Sequence, residues 1–196
     1  MGTLNALDKI SPILLFGYGN PSRGDDALGP LLIEHMEQAA LPHVNCLTDM
    51  QLQVEHVMDL EGRTRILFID ADVSCCAPYV LSPLQPEHDG SYTSHAMSPA
   101  ALIHAYTKVY GVSAPPAYLL RIRGYDFALG QPVSAQALEN LSQATLLINN
   151  LFSDLSEKNW QQHLSLTRQT HSAQAYQTAN NCNYTLPTSI EKIEAK

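Results

Sequence analysis

The chain has 196 residues, 45% of them hydrophobic and 15% charged, which fits one globular domain with a substantial core. A formal net charge of -8 argues against nucleic acid as a main partner, because phosphate binding needs a basic face. No stretch approaches the roughly 18 consecutive apolar residues of a membrane span, so no membrane partner is expected.

Ile13-Leu14-Leu15-Phe16 is an unbroken apolar run, as expected of a parallel strand buried on both faces. It enters Gly17-Tyr18-Gly19-Asn20-Pro21, a cluster of turn formers, and then Arg23-Gly24 and two adjacent carboxylates, Asp25 and Asp26. Leu28, Leu31, Leu32, Ile33 and Met36 follow with helical period, predicting a helix from about Asp26 to Ala39-Ala40, where Leu41-Pro42 stops it. Residues 44–48 read as a second strand and Met50 to Leu60 as a second helix. Arg65 to Asp72 is another buried strand, again ending in acids, and Tyr79-Val80-Leu81 is a candidate edge strand between two prolines. Ser98 and Pro99 are the cap and first residue of a helix to about Tyr110. Ala117 to Ile122 is the last strand, and Ser134 caps a final helix from Ala135 to about Leu151.

Strands alternating with helices imply an α/β fold: a mainly parallel twisted sheet of about five strands between helices, in the flavodoxin-like or phosphorylase-like three-layer manner. Residues 1–152 are expected to form this single domain. Residues 153–196, rich in Gln, Asn, Ser and Thr, are expected to form a polar tail, partly disordered, with one amphipathic helix near Leu155 to Leu166. Cys46, Cys75, Cys76 and Cys182 show no CxxC or zinc-ligand spacing, and adjacent Cys75 and Cys76 would bridge only with strain. The start, MGTLNALDKIS, lacks the basic and apolar regions of a signal peptide. Both features point to a reduced, cytoplasmic setting.

Three side chains form a candidate constellation. Asp26 follows the first strand, Asp70 ends the third, and His95 precedes the helix at Pro99. If the first and third strands are neighbours, both carboxylates lie on one rim of the sheet, at the switch point where open α/β sheets bind ligands. Two carboxylates and an imidazole suit a divalent ion, with imidazole shifting preference towards nickel or zinc. The same pair of acids could also work through water as general acid and base. Taken singly, each residue has an ordinary role: Asp25 or Asp26 as a helix cap, Asp70 or Asp72 as a loop cap, His95 as a structural histidine. Their coincidence at one rim is the signal. Dinucleotide binding is disfavoured, because G-x-G-x-x-G lacks its third glycine here and Asp25 and Asp26 would repel a pyrophosphate. No G-x-S-x-G elbow is present either.

The segment Phe16-Gly17-Tyr18-Gly19-Asn20-Pro21 with Arg23-Gly24-Asp25-Asp26 and Gly29 resembles the N-terminal signature of the hydrogenase maturation proteases. The resemblance continues through Phe68-Ile69-Asp70-Ala71 and His95-x-x-Ser98-Pro99, and covers about residues 12 to 152. It implies an endopeptidase that removes the C-terminal extension of a [NiFe]-hydrogenase large-subunit precursor after nickel insertion. The family's metal-contacting positions fall on Asp26, Asp70 and His95, with Asp26 and Asp70 also the candidate catalytic acids. Gly17, Gly19, Asn20 and Gly24 would shape a substrate loop. The implied cofactor is nickel supplied by the substrate, with no nucleotide, and the implied assembly is a monomer acting on one partner. Asp26 stands where relatives often carry glutamate, and Ala27 where many carry glycine. A non-catalytic, nickel-sensing assembly partner is the alternative.

Overall fold

The computed structural model describes residues 10–86 and 97–166. Strands β1 (Ile13–Tyr18), β2 (Val44–Asp49), β3 (Arg65–Asp72), β4 (Tyr79–Pro83) and β5 (Ala117–Arg123) form one sheet in the order β2-β1-β3-β5-β4. The first three pairings are parallel, and β4 alone runs antiparallel, on the edge beside β5. The three-layer α/β class read from the alternation of elements is the architecture observed. Pro83, ending β4, is tolerated because an edge strand need not donate on both sides.

Side chains alternate across the strands and split the core in two. Leu15, Leu67, Ile69, Leu120 and Ile122 pack with helices α1 (Leu28–Ala39) and α3 (Ala135–Ser153) on one face. On the other face Leu14, Phe16, Ile66 and Phe68 meet α2 (Pro99–Tyr110) and the 3-10 helix Val54–Leu60. Phe16 and Phe68 stack across the β1–β3 pair with ring centroids 6.1 Å apart. The predicted caps of the later helices are in place. Ser98 Oγ accepts from the Ala101 amide at 3.1 Å, and Ser134 Oγ from the Ala137 amide at 3.3 Å.

Two elements differ from expectation. The first helix begins at Leu28, after a separate 3-10 turn, Gly24–Ala27, because neither aspartate caps it: their carboxylates bond elsewhere. The helix expected over Met50–Leu60 is a 3-10 helix of seven residues, Val54–Leu60. Val57 and Leu60, three apart, are its buried residues, a spacing that a threefold helix presents on one side.

Residues 157–166 are also helical and lie against the core. Trp160 is fully buried there, its ring 4.8 Å from that of Tyr118 and edge-on to Phe152 at 6.1 Å. The Arg65 guanidinium sits 4.4 Å above the same indole and bonds the Leu155 carbonyl at 3.2 Å and Glu157 Oε2 at 3.0 Å. The segment therefore closes the end of the sheet where β3 and β5 begin. Among the described residues no helix is long and apolar enough to cross a membrane. Trp160→Ala is expected to cost about 3–5 kcal/mol in urea unfolding, the range for emptying a buried aromatic site.

Candidate active site

The site forms at the carboxyl ends of β1 and β3, where the strand order reverses. Helix α1 leaves β1 towards β2, whereas β3 lies on the opposite side of β1. Contact between α1 and the sheet is too close for any side chain at two positions. A Cβ on Gly17 would lie 2.5 Å from the Gly29 carbonyl oxygen. One on Gly29 would lie 2.6 Å from the Tyr18 oxygen and 2.7 Å from that of Ile69. The two glycines thus seat the start of α1 directly over the boundary between β1 and β3.

This seating determines where Asp26 stands. Gly19 has φ +142°, and a Cβ there would collide with the Asp26 carbonyl, so the loop closes on the turn only with glycine. Asn20 folds the loop further. Its Oδ1 accepts from the Ser22 amide at 2.9 Å, and its own amide donates to Asp26 Oδ2 at 2.9 Å. That bond fixes one carboxylate oxygen of the half-buried Asp26. Gly24 lies against the Asp126 carbonyl, where a Cβ would come within 2.5 Å. Of the four glycine-loop residues, Gly17 and Gly24 serve packing, while Gly19 and Asn20 shape the approach to Asp26.

Asp70 lies across the β1–β3 boundary and takes a hydrogen bond from the Tyr18 hydroxyl. Burial pushes its carboxyl up to about 7, with the charges of Asp26 and Asp72 adding to the shift, against the opposing bonds from Tyr18 and the Ala71 amide. Tyr18 is itself pushed far up, by burial and then by Asp70. Asp26 thus lies on the same rim as Asp70, near enough for its charge to add to the shift on Asp70. A carboxylate poised near neutrality at a switch point suits proton transfer.

The neighbouring acids have other work. Asp25 is fully buried, yet four donors meet its carboxylate: the Tyr125, Asp126 and Ser134 amides at 2.6, 3.0 and 2.7 Å, and Ser134 Oγ at 2.8 Å. Burial opposes its charge, but these bonds outweigh it and hold the group below the ordinary carboxylate range. Asp72 is likewise lowered against burial, by Ser74, the Cys75 amide and the Arg121 guanidinium, whose Nη1 stands 3.1 Å away. Both acids tie loops together.

A second carboxylate–imidazole pair borders the site at the end of β2. His56 Nε2 lies 3.3 Å from Asp49 Oδ2, while His56 Nδ1 accepts from the Gln53 amide at 2.9 Å. Both ring nitrogens are thereby committed, so His56 holds the 3-10 helix in place and has no nitrogen left for a substrate. Sequence spacing carried no signal for this pair, because the contact depends on how β2 and that helix fold together. His95 lies outside the described residues. Among those described, no group of three or more His, Cys, Asp or Glu side chains is placed to hold a metal ion.

The fold occurs in known structures. The [NiFe]-hydrogenase maturation protease HycI of Thermococcus kodakarensis superposes with a TM-score of 0.58 at 20% identity, over 74% of this chain and 94% of its own. The hydrogenase-maturating endopeptidase HybD of E. coli gives 0.55 at 22% identity, over 69% and 88%. The E. coli endopeptidase HycI gives 0.55 at 19% identity, over 71% and 90%. The fold is that of the hydrogenase maturation proteases. No protein-family model matches the sequence, and no curated protein matches it.

The unlike settings of the acids can be read out by titration. The Asp70 pKa in the folded chain lies above the unfolded value of 3.8, so its contribution to stability is greatest below pH 4 and is lost as pH rises towards 7. Asp70→Asn removes that loss. The variant is expected to be more stable than the wild type at pH 8, by about 2–4 kcal/mol in metal-free protein, and nearly equal to it at pH 4. Urea titrations at the two pH values check this; a gain independent of pH would contradict the buried, neutral-pH carboxyl.

Proposed function

We propose that the protein is an endopeptidase of hydrogenase maturation. It removes the C-terminal extension of a [NiFe]-hydrogenase large-subunit precursor once nickel has been inserted. One observation carries the reading: Asp26 and Asp70 share the β1–β3 switch point, in Coulombic contact, on a fold whose solved examples include named hydrogenase maturation endopeptidases. The three-motif signature supports the same assignment.

In this reading nickel belongs to the substrate. Its positive charge is attracted by the Asp26 and Asp70 carboxylates, with His95 as the proposed third contact, and this registers the scissile peptide against the rim. Asn20 holds one oxygen of Asp26 and leaves the other for the incoming cation. Hydrolysis then requires a proton to leave water as its oxygen bonds to the carbonyl carbon, and a proton to reach the amine as the C–N bond breaks. A carboxylate at the rim can take the first proton and deliver it to the amine, and Asp70, bonded by the Tyr18 hydroxyl at the end of β3, is placed for both transfers. The Tyr18 hydroxyl, fixed on Asp70, orients it for the transfer.

The test uses purified protein and a nickel-loaded large-subunit precursor from the same source, followed by mass. The wild type is expected to release a C-terminal peptide only from nickel-loaded precursor. Asp26→Ala and Asp70→Asn are each expected to slow release by at least about 100-fold while remaining folded. A precursor that is bound but never shortened would replace the protease with a non-catalytic, nickel-sensing assembly partner.

A further inference from the structure

The loop following β5, residues 124–134, is bound to the loop that carries Asp26 along most of its length. Backbone bonds join Gly24 to Gln131 at 3.1 Å, Asp25 to Asp126 at 2.8 Å, and Gly130 to Ser22 at 2.7 Å. Arg23 Nε adds a bond to the Phe127 carbonyl at 3.3 Å, and the Gly124 amide ties the loop's start to Asp72 at 3.1 Å. Between the loops sits the Asp25 carboxylate, with its four donors from residues 125, 126 and 134. Gly124 is packed against it: a Cβ there would meet the Phe127 ring at 2.7 Å and Asp25 Cβ at 3.0 Å.

So much fixation would be unremarked if the loop presented only polar groups. It presents instead Tyr125, 40% exposed, and Leu129, 74% exposed. Tyr125 is moreover held at three points. Its amide is bonded to Asp25, its hydroxyl meets Nδ2 of the buried Asn140 at 3.2 Å, and the Arg123 guanidinium lies 5.2 Å from its ring centre. These contacts hold the ring in one place while part of it still faces solvent. An aromatic ring already immobilised loses little entropy when a partner settles on it, which is the general property of anchor residues.

We propose that Tyr125 and Leu129 form the apolar wall of the cleavage site and determine specificity, gripping an apolar side chain of the polypeptide next to the scissile bond. Asp25 is the positioning residue that holds this wall against the loop bearing Asp26. The inference rests on the endopeptidase reading and deepens it. Asp26 and Asp70 set where the bond is cut, whereas the 124–134 loop selects which polypeptide lies there.

The test measures both binding and trimming of nickel-loaded precursor by the full chain. Tyr125→Ala combined with Leu129→Ala is expected to raise the precursor Kd and KM about tenfold or more, with the loss in kcat/KM carried by KM. Tyr125→Ala also removes the hydroxyl bonded to Asn140 and is expected to lower Tm, whereas Leu129→Ala alone, at a side chain 74% exposed, should keep the wild-type far-UV spectrum and Tm while still raising Kd and KM. Asp25→Asn places an amide N–H against at least one of its four donors, and is expected to raise KM in the same direction through the loosened wall. Unchanged Kd and KM in the double variant, with trimming intact, would overturn the wall and leave the endopeptidase standing. Precursor that binds but is never cut would overturn the endopeptidase, and the Kd of the double variant would still decide the wall. A wild type that neither binds nor cuts would overturn both.

Discussion

A single buried charge organises the functional end of this molecule. Asp25 has no exposed surface, and an unpaired carboxylate in that position would destabilise the fold severely. Its four donors come from one distant loop, so the charge is tolerated only while that loop is docked. Two loops that would otherwise move independently become one body. The turn Gly24–Ala27 inherits its position from the contact, and with it so does Asp26, the next residue along. Backbone proximity at Gly17 and Gly29 fixes the other side of the same turn. The candidate site is thus held from both flanks by interactions that do not themselves meet a substrate.

Environment sorts the four acids of the rim into different tasks, although they are chemically alike. Asp25 and Asp72 are surrounded by donors and held in the charged form, which makes them fasteners. Asp70 has burial, Asp26 and Asp72 working against its charge and only Tyr18 and the Ala71 amide in its favour. Asp26 keeps one oxygen bonded to Asn20 and stands at the boundary with solvent. A site that places unfavourably buried charge beside well-satisfied charge gives up stability locally and recovers it in the adjoining loops.

Much of this was legible in the sequence, for reasons that can be named. Continuous apolar runs identify β1 and β3 because strands buried on both faces leave no alternation. Ser98-Pro99 and Ser134 mark the starts of α2 and α3 because capping chemistry is local. The rim shared by Asp26 and Asp70 followed from strand order alone. Other features depend on contacts made far along the chain. Asp25 reads as a helix cap until residues 125–134 arrive opposite it, about one hundred positions later. The Asp49–His56 pair requires the fold to bring β2 and its following 3-10 helix together. Trp160 falls in the amphipathic helix expected near Leu155 to Leu166 and seen over residues 157–166, but its partners Tyr118, Phe152 and Arg65, far off in sequence or in a different element, are what show that the segment belongs to the core and not to a separate tail. The Met50–Leu60 segment shows the converse: apolar content suggested an α-helix, and a short threefold helix buries the same residues.

The position of Trp160 has a consequence for how the protein is made. Synthesis runs from the amino terminus, and the indole that closes the lower end of the sheet is added only after every strand and α3 have been completed. Until residues 157–166 clear the ribosome, Tyr118 lacks the indole that packs on its ring, and the core cluster lacks Trp160 and Leu164. This docking step therefore follows synthesis of all the described strands and α3. Chains shortened by premature termination upstream of Trp160 would carry an exposed apolar end that chaperones and proteases recognise, so the helix at 157–166 separates chains that reach it from chains that do not.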